Sequence, residues 1–252
     1  MINSCPPDDW HQLQAEVAKI LNESGLETEI EKTITTSRGQ VEIDVFAKDP
    51  DQNPPCIYLC ECKQWKSNVP KSVVHSLRTV VSDSGANWGL LISSKGFQKG
   101  AYEAAAYSNV KLLNWNEFEL LFADKWYNKF MRNKLDNEVK PLFEYTEPFN
   151  SRIFRKADGL PEEAQKKFGQ LRNKYTSLTF LALDFCGDLW GENTNPPQLP
   201  LKKQINPVYA PNEANLPDDL LKAVSLRELL DLFLKYIREG IADFDKVFGG
   251  RA

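Results

Sequence analysis

The chain has 252 residues, of which 42% are hydrophobic, 11% aromatic and 26% charged. That is ordinary globular composition and excludes a collagen-like, coiled-coil or wholly disordered chain. At about 150 residues per domain it holds one large or two small domains. Its best apolar run, Leu178 to Trp190, contains Asp184 and Asp188 and falls short of the roughly 18 residues a membrane span needs. No basic-then-apolar leader is visible. Five cysteines in a chain able to bury its own core read as reduced thiols, so the expected location is the cytoplasm, away from membranes.

The net charge of −4, taken whole, argues against a nucleic-acid binder. The charge is unevenly spread, however. Residues 1–61 hold Lys19, Lys32, Arg38 and Lys48 against twelve acidic side chains. Residues 63–111 hold seven basic residues against Asp83 and Glu103, and residues 125–174 hold twelve against seven. A phosphate backbone needs local basic surface rather than a basic pI. Solvated helix faces are the plainer reading of the same blocks.

In chain order, Asp8 or Asp9 caps a helix over 10–24, in which Trp10, Leu13, Val17, Ile20 and Leu21 recur at helical spacing and which Gly25 stops. Alternating strands are expected over 27–35 and 41–47, joined by Ser37-Arg38-Gly39-Gln40, and a third over 57–64 after a Pro- and Asp-rich loop. Pro70 opens a helix over 71–84. The apolar run 88–93 reads as a strand covered on both faces. A turn at 94–97, an Ala-rich helix over 98–108, a strand over 110–113 and a helix beginning at 116 follow. The order α-β-β-β-α-β-α-β predicts an α/β domain over 1–123, a mixed central sheet flanked by helices on both faces. From 124 to 252 the pattern is mostly helical: helix over 125–139, irregular chain over 141–161, helix over 161–190, a loop over 193–218 with six prolines, and helix over 216–248.

The chemistry gathers around the second and third strands. Residues i and i+2 of a strand share a face. Cys60 and Cys62 therefore face one way, and Glu61 and Lys63 the other. Glu42 and Asp44 share a face of the preceding strand. If the two strands are neighbours, Asp44, Glu61 and Lys63 meet at one end of the sheet. Two carboxylates suit Mg²⁺, which takes oxygen ligands and keeps several waters. A lysine beside them can orient or deprotonate a water for attack on phosphorus, with the metal stabilising the developing charge.

Gly39-Gln40-Val41-Glu42-Ile43-Asp44 followed by Glu61-Cys62-Lys63-Gln64-Trp65 resembles the Asp…Glu-x-Lys signature of the PD-(D/E)xK nuclease superfamily. With Leu91 to Phe97, the alanines at 101 and 104–106 and Val110 to Leu113, it resembles more narrowly the Mrr-type restriction endonuclease catalytic domain, over about 10–122. The resemblance implies Asp44 and Glu61 as metal ligands, with the backbone carbonyl of Cys62 a third, and Lys63 positioning the attacking water. Gln64 or Gln40 would contact a phosphate or water, and Glu16 on the first helix would complete a second shell around the site. The stretch before Asp44 is less Gly-rich than in the family, with Gly39 alone. The implied activity is Mg²⁺-dependent, or Mn²⁺-dependent, hydrolysis of DNA in restriction of foreign DNA or anti-phage defence. It would act as a homodimer or higher oligomer, with residues 124–252 recognising DNA, a protein partner of a defence system or a second copy.

Other readings are weaker. Cys56, Cys60 and Cys62 lack zinc spacing. His11 and His75 are the only histidines, and no P-loop pattern is present. Ser93-Ser94-Lys95 suits a phosphate contact at least as well as Ser–Lys chemistry. Trp126, Tyr127 and Phe130 could stack on bases, but packing is the commoner role of such a stripe. The alternative functions are a DNA-binding or regulatory module inactive without a partner, and an RNA or single-strand nuclease.

Overall fold

The computed structural model of the chain describes residues 1–187, 195–201 and 215–250. The chain divides into two compact units, Met1–Lys129 and Phe130–Ala252.

The first unit is built on one five-stranded mixed sheet, ordered β1 (Glu27–Thr36), β2 (Gly39–Asp49), β3 (Cys56–Lys63), β4 (Trp88–Ser93) and β5 (Val110–Leu113). β1, β2 and β3 are antiparallel, whereas β3, β4 and β5 are parallel, as α/β crossovers require. The crossovers are α2 (Lys71–Ser84) and α3 (Lys99–Ala105). They cover one face, packing Val74, Leu77, Val81, Ala101 and Ala104 against Leu59, Leu91 and Val110. Gly89 in β4 allows this approach: a Cβ there would lie 2.8 Å from Val81 Cγ2.

α1 (Trp10–Glu23) and α4 (Trp115–Trp126) pack on each other, and Tyr58 of β3 meets Phe122 of α4 edge-on, so these helices serve the face opposite Leu59. Asp9 caps α1 by accepting the Gln12 N–H at 2.9 Å. Leu13, Val17, Ile20 and Leu21 are buried as their spacing predicts, but Trp10, expected in the same stripe, is exposed. It lies on the helix's first residue and stacks on His11. A capping box between Asn114 and Glu117 starts α4. α4 runs unbroken through residue 124, where the sequence pattern changes.

Residues 125–139 are helical as expected, but the helix type changes within them. A π-helical turn, Tyr127–Met131, follows α4, and α5 runs over Arg132–Thr146. Helix also occupies most of the stretch expected to be irregular, because α5 continues through Pro141 and α6 (Ser151–Asp158) follows. A proline inside a helix costs about 3 kcal/mol. Here Leu135, Val139, Leu142 and Tyr145 are buried on both sides of it, and their packing outweighs that loss.

In the second unit α5, α7 (Glu162–Cys186) and α9 (Leu226–Phe248) pack on one another, and the short α8 (Asp218–Lys222) packs on α9. α7 stops at Gly187, which is left-handed at φ 81°. Gly240 sits at the crossing, where a Cβ would lie 3.0 Å from Leu142 Cδ1 and 3.1 Å from Tyr175 Cδ1. Arg172 donates to the carbonyls of Tyr145, Thr146 and Glu147 and so closes the end of α5. The parts of the expected 161–190 helix beyond Gly187 and of the proline-rich loop at 202–214, with Pro207 and Pro211, lie outside the described residues.

Candidate active site

The β2–β3 ladder ends at the rung Val45↔Cys60. Beyond it β2 pairs only with β1, and β3 only with β4 up to Lys63↔Ser93. The sheet forks there, and the fork holds Asp44, Glu61 and Lys63. The β1–β2 hairpin is anchored at its tip, where Arg38 pairs with Asp83 of α2 at 2.8 Å and the Ser37 N–H reaches the Asp83 carbonyl.

The Asp44 carboxylate accepts the Cys62 backbone N–H at 2.7 Å through Oδ2. The Lys63 ammonium donates to Glu61 Oε1 and lies 3.9 Å from Asp44 Oδ2. The three side chains are partly covered, at 17% exposure for Lys63 and 25% for each carboxylate. Burial pushes the Glu61 carboxyl above its ordinary range; the Lys63 hydrogen bond opposes this, and the Asp44 charge adds to it.

This donor set fits a hard divalent cation. The cluster already gathers a cationic group, Lys63, between two carboxylates. Asp44 Oδ1 and Glu61 Oε2 take part in neither of the contacts just described. Two carboxylates with a backbone carbonyl and waters are an ordinary Mg²⁺ environment. Among the described residues no three His, Cys, Asp or Glu side chains form a metal-holding group.

Among the described residues no hydrogen bond or ion pair links the other expected side chains to this cluster. Glu16 is engaged by Asn3 Nδ2 at 3.2 Å and Lys19 at 3.5 Å, holding the N-terminal segment to α1. The Gln64 amide donates to the carbonyls of Pro7 and Asp8 at 3.3 and 3.2 Å. Gln40, Glu42 and His75 are exposed. Ser93 is buried and organises its own turn, its hydroxyl meeting the Gly96 N–H at 3.1 Å and the Lys95 N–H at 3.3 Å. Cys60 and Cys62 are buried on the core face, and burial pushes both thiols well above the usual range. Trp126 and Tyr127 are fully buried, so they pack rather than present a stacking surface.

The two basic blocks also differ. In the second, Lys125, Lys129, Lys134, Lys140, Arg152 and Lys174 are in ion pairs. In the first, Lys66, Lys71, Lys95 and Lys99 are exposed and have no acidic partner among the described residues.

Residues 8–122 match the sequence model of the Mrr catalytic domain, a restriction endonuclease family. Over these residues the chain is similar to an Mrr-type restriction endonuclease domain. The matched stretch coincides with the sheet and its flanking helices. Among solved structures, a crystal structure of a protein of unknown function, AF1548, is 14% identical over 96% of this chain and 99% of its own, with a TM-score of 0.38. That likeness is too distant to establish a shared fold. A search of curated proteins found no match. No helix among the described residues is long and apolar enough to cross a membrane.

Proposed function

We propose that the protein is a divalent-metal-dependent endonuclease that hydrolyses phosphodiester bonds of DNA. The observation that carries this reading is the meeting of Asp44, Glu61 and Lys63 at the fork of the Mrr-type sheet. Asp44, Glu61 and the Cys62 carbonyl would hold Mg²⁺, or Mn²⁺ in its place. Bound there, the ion would supply charge stabilisation at the scissile phosphate.

The remaining work falls to the chain itself. Lys63 orients the attacking water and is oriented in turn by Glu61. The Cys62 N–H fixes the Asp44 carboxylate, so the ligand does not have to be ordered when DNA arrives. Lys66, Lys71, Lys95 and Lys99 provide the cationic surface for the backbone that the acidic first 61 residues lack. Gln64 and Glu16 act from outside the cluster, by holding the N-terminal segment beside it.

One such site cuts one strand, so double-strand cleavage calls for a homodimer or higher oligomer. Residues 124–252 would supply the contact to a second copy, to DNA or to a protein partner. The biological setting of this reading is restriction of foreign DNA or anti-phage defence in the cytoplasm. Its test is cleavage of plasmid and linear duplex DNA, single-stranded DNA and RNA, each with Mg²⁺, with Mn²⁺ and with EDTA. Metal-dependent nicking of duplex DNA is expected. Cleavage of RNA alone would contradict the substrate, and equal cleavage in EDTA would contradict the metal.

A further inference from the structure

Immediately beyond Lys63, at the carboxyl ends of β3 and β4, the first unit has a cavity of about 410 Å³. Its lining includes Gln64, Trp65, Lys66, Ser94, Lys95 and Trp115. Its position outside the carboxyl ends of parallel strands is where open α/β sheets bind ligands. Its size is within the range of about 300–1,000 Å³ of small-ligand sites.

Three observations say what it is suited to hold. Trp65 is 40% exposed, a large aromatic face left open rather than packed. Its ring centre lies 5.8 Å from Lys63 Nζ, so the ring stands beside the group that would meet the scissile phosphate. Trp115 is 5% exposed, and its indole N–H has no hydrogen-bond partner. Buried donors are nearly always paired, so this covered N–H of a residue that lines the cavity is an unmet donor. Lys66 and Lys95 are exposed cations at the same cavity. The set is an aromatic face, a lone donor and two cations next to a phosphate-cutting centre.

We propose that this cavity receives one unstacked nucleobase of the DNA strand being cut. The inference rests on the nuclease reading for its position and on Trp65 and Trp115 for its ligand. The base stacks on Trp65, which is tolerant of base identity because every base has a π-face. A base carbonyl or ring nitrogen supplies the acceptor for the Trp115 N–H, and Lys66 and Lys95 hold the flanking phosphates. Withdrawing a base from a duplex costs least where it is mismatched, damaged or already single-stranded. The cavity therefore makes the enzyme prefer DNA whose base beside the cut is easily unstacked.

The test separates this proposal from the nuclease reading by measuring binding without cutting. Full-length wild-type protein in EDTA is titrated into two fluorescent single strands, an oligothymidine and an abasic backbone of equal length. The oligothymidine is expected to bind about five- to 150-fold more tightly, the 1–3 kcal/mol of a stacked base. Trp65→Ala is expected to remove most of that ratio and Trp65→Phe to keep most of it. Ser94→Phe, an exposed position at the cavity, fills the space without touching the core and is expected to remove the ratio too. An equal ratio in wild type, Trp65→Ala and Ser94→Phe overturns the proposal, as does a wild-type ratio near one. Plasmid nicking by the same wild-type preparation with Mg²⁺ reads the other claim: its absence, with the base ratio intact, overturns the nuclease reading and leaves the base site standing.

Discussion

The Asp44 carboxylate accepts the backbone N–H of Cys62 at 2.7 Å, just past the last rung that joins β2 to β3. One side chain thereby closes the fork that the backbone leaves open. Replacing Asp44 tests both roles. Asp44→Asn keeps an oxygen acceptor for Cys62 and should fold like wild type while losing about 100-fold or more of its cleavage rate. Asp44→Ala loses the acceptor as well and should lower stability by about 1–3 kcal/mol, the cost of leaving a covered N–H unpaired. Thermal melts and nicking assays on the two variants check this. Equal stability of both variants would contradict the structural role.

Glu61 sets a pH dependence. Its carboxyl is raised by burial, with Lys63 opposing and Asp44 adding. Metal binding requires the ionised form, so the acid limb of cleavage should lie above the ordinary Glu value of about 4.3. The stability effect has the opposite sense. A raised folded pKa favours the protonated form in the native state. The stability it adds is complete below the unfolded value and is lost as pH rises through the folded one. In EDTA, wild type should therefore lose stability relative to Glu61→Gln as pH rises from about 4.3 through that window. A constant difference between their melting temperatures across pH would contradict the buried carboxylate.

The exposed lysines after β3 should carry the electrostatic part of DNA binding. Lys71→Ala and Lys99→Ala are expected to weaken binding uniformly across sequences and to reduce the slope of log K against log salt by about 1 each. Lys134→Ala, already paired with Glu138 on α5, should change the slope little. Binding measured across a salt series distinguishes them. Equal slopes for all three variants would contradict the assignment of the basic surface to residues 63–111.

In the second unit, Gly240 lies where α9 crosses α5 and α7, against Leu142 and Tyr175. Gly240→Val should destabilise that unit by about 1–3 kcal/mol through overpacking. Gly169 on α7, where a Cβ would meet nothing within 4 Å, should accept alanine without loss. Denaturant unfolding of the two variants reads this, and equal stability would contradict the close helix crossing.

Much of this was legible in the sequence because strand alternation is a strict rule. Cys60 and Cys62 inward with Glu61 and Lys63 outward follows from the period of two, and the hairpin brings Asp44 to the same end. The fork itself was not legible, because it depends on where the β2–β3 hydrogen bonds stop, which no side-chain pattern records. Gln64 lies next to Lys63 in sequence, yet it is held by backbone carbonyls of Pro7 and Asp8, a long-range contact without a motif. Pro141 argued for a break that tertiary burial of Leu142 and Tyr145 overrides. Trp65 stood within the motif, but its exposure beside Lys63 is recorded by no sequence pattern.

The most direct test of the account is plasmid nicking with Mg²⁺ by wild type, Asp44→Asn and Lys63→Ala, each also assayed in EDTA and each first shown to be folded. Nicking by wild type alone, abolished by EDTA, is the predicted result. Equal nicking by all three folded proteins would contradict the assignment of the reaction to the Asp44, Glu61 and Lys63 cluster.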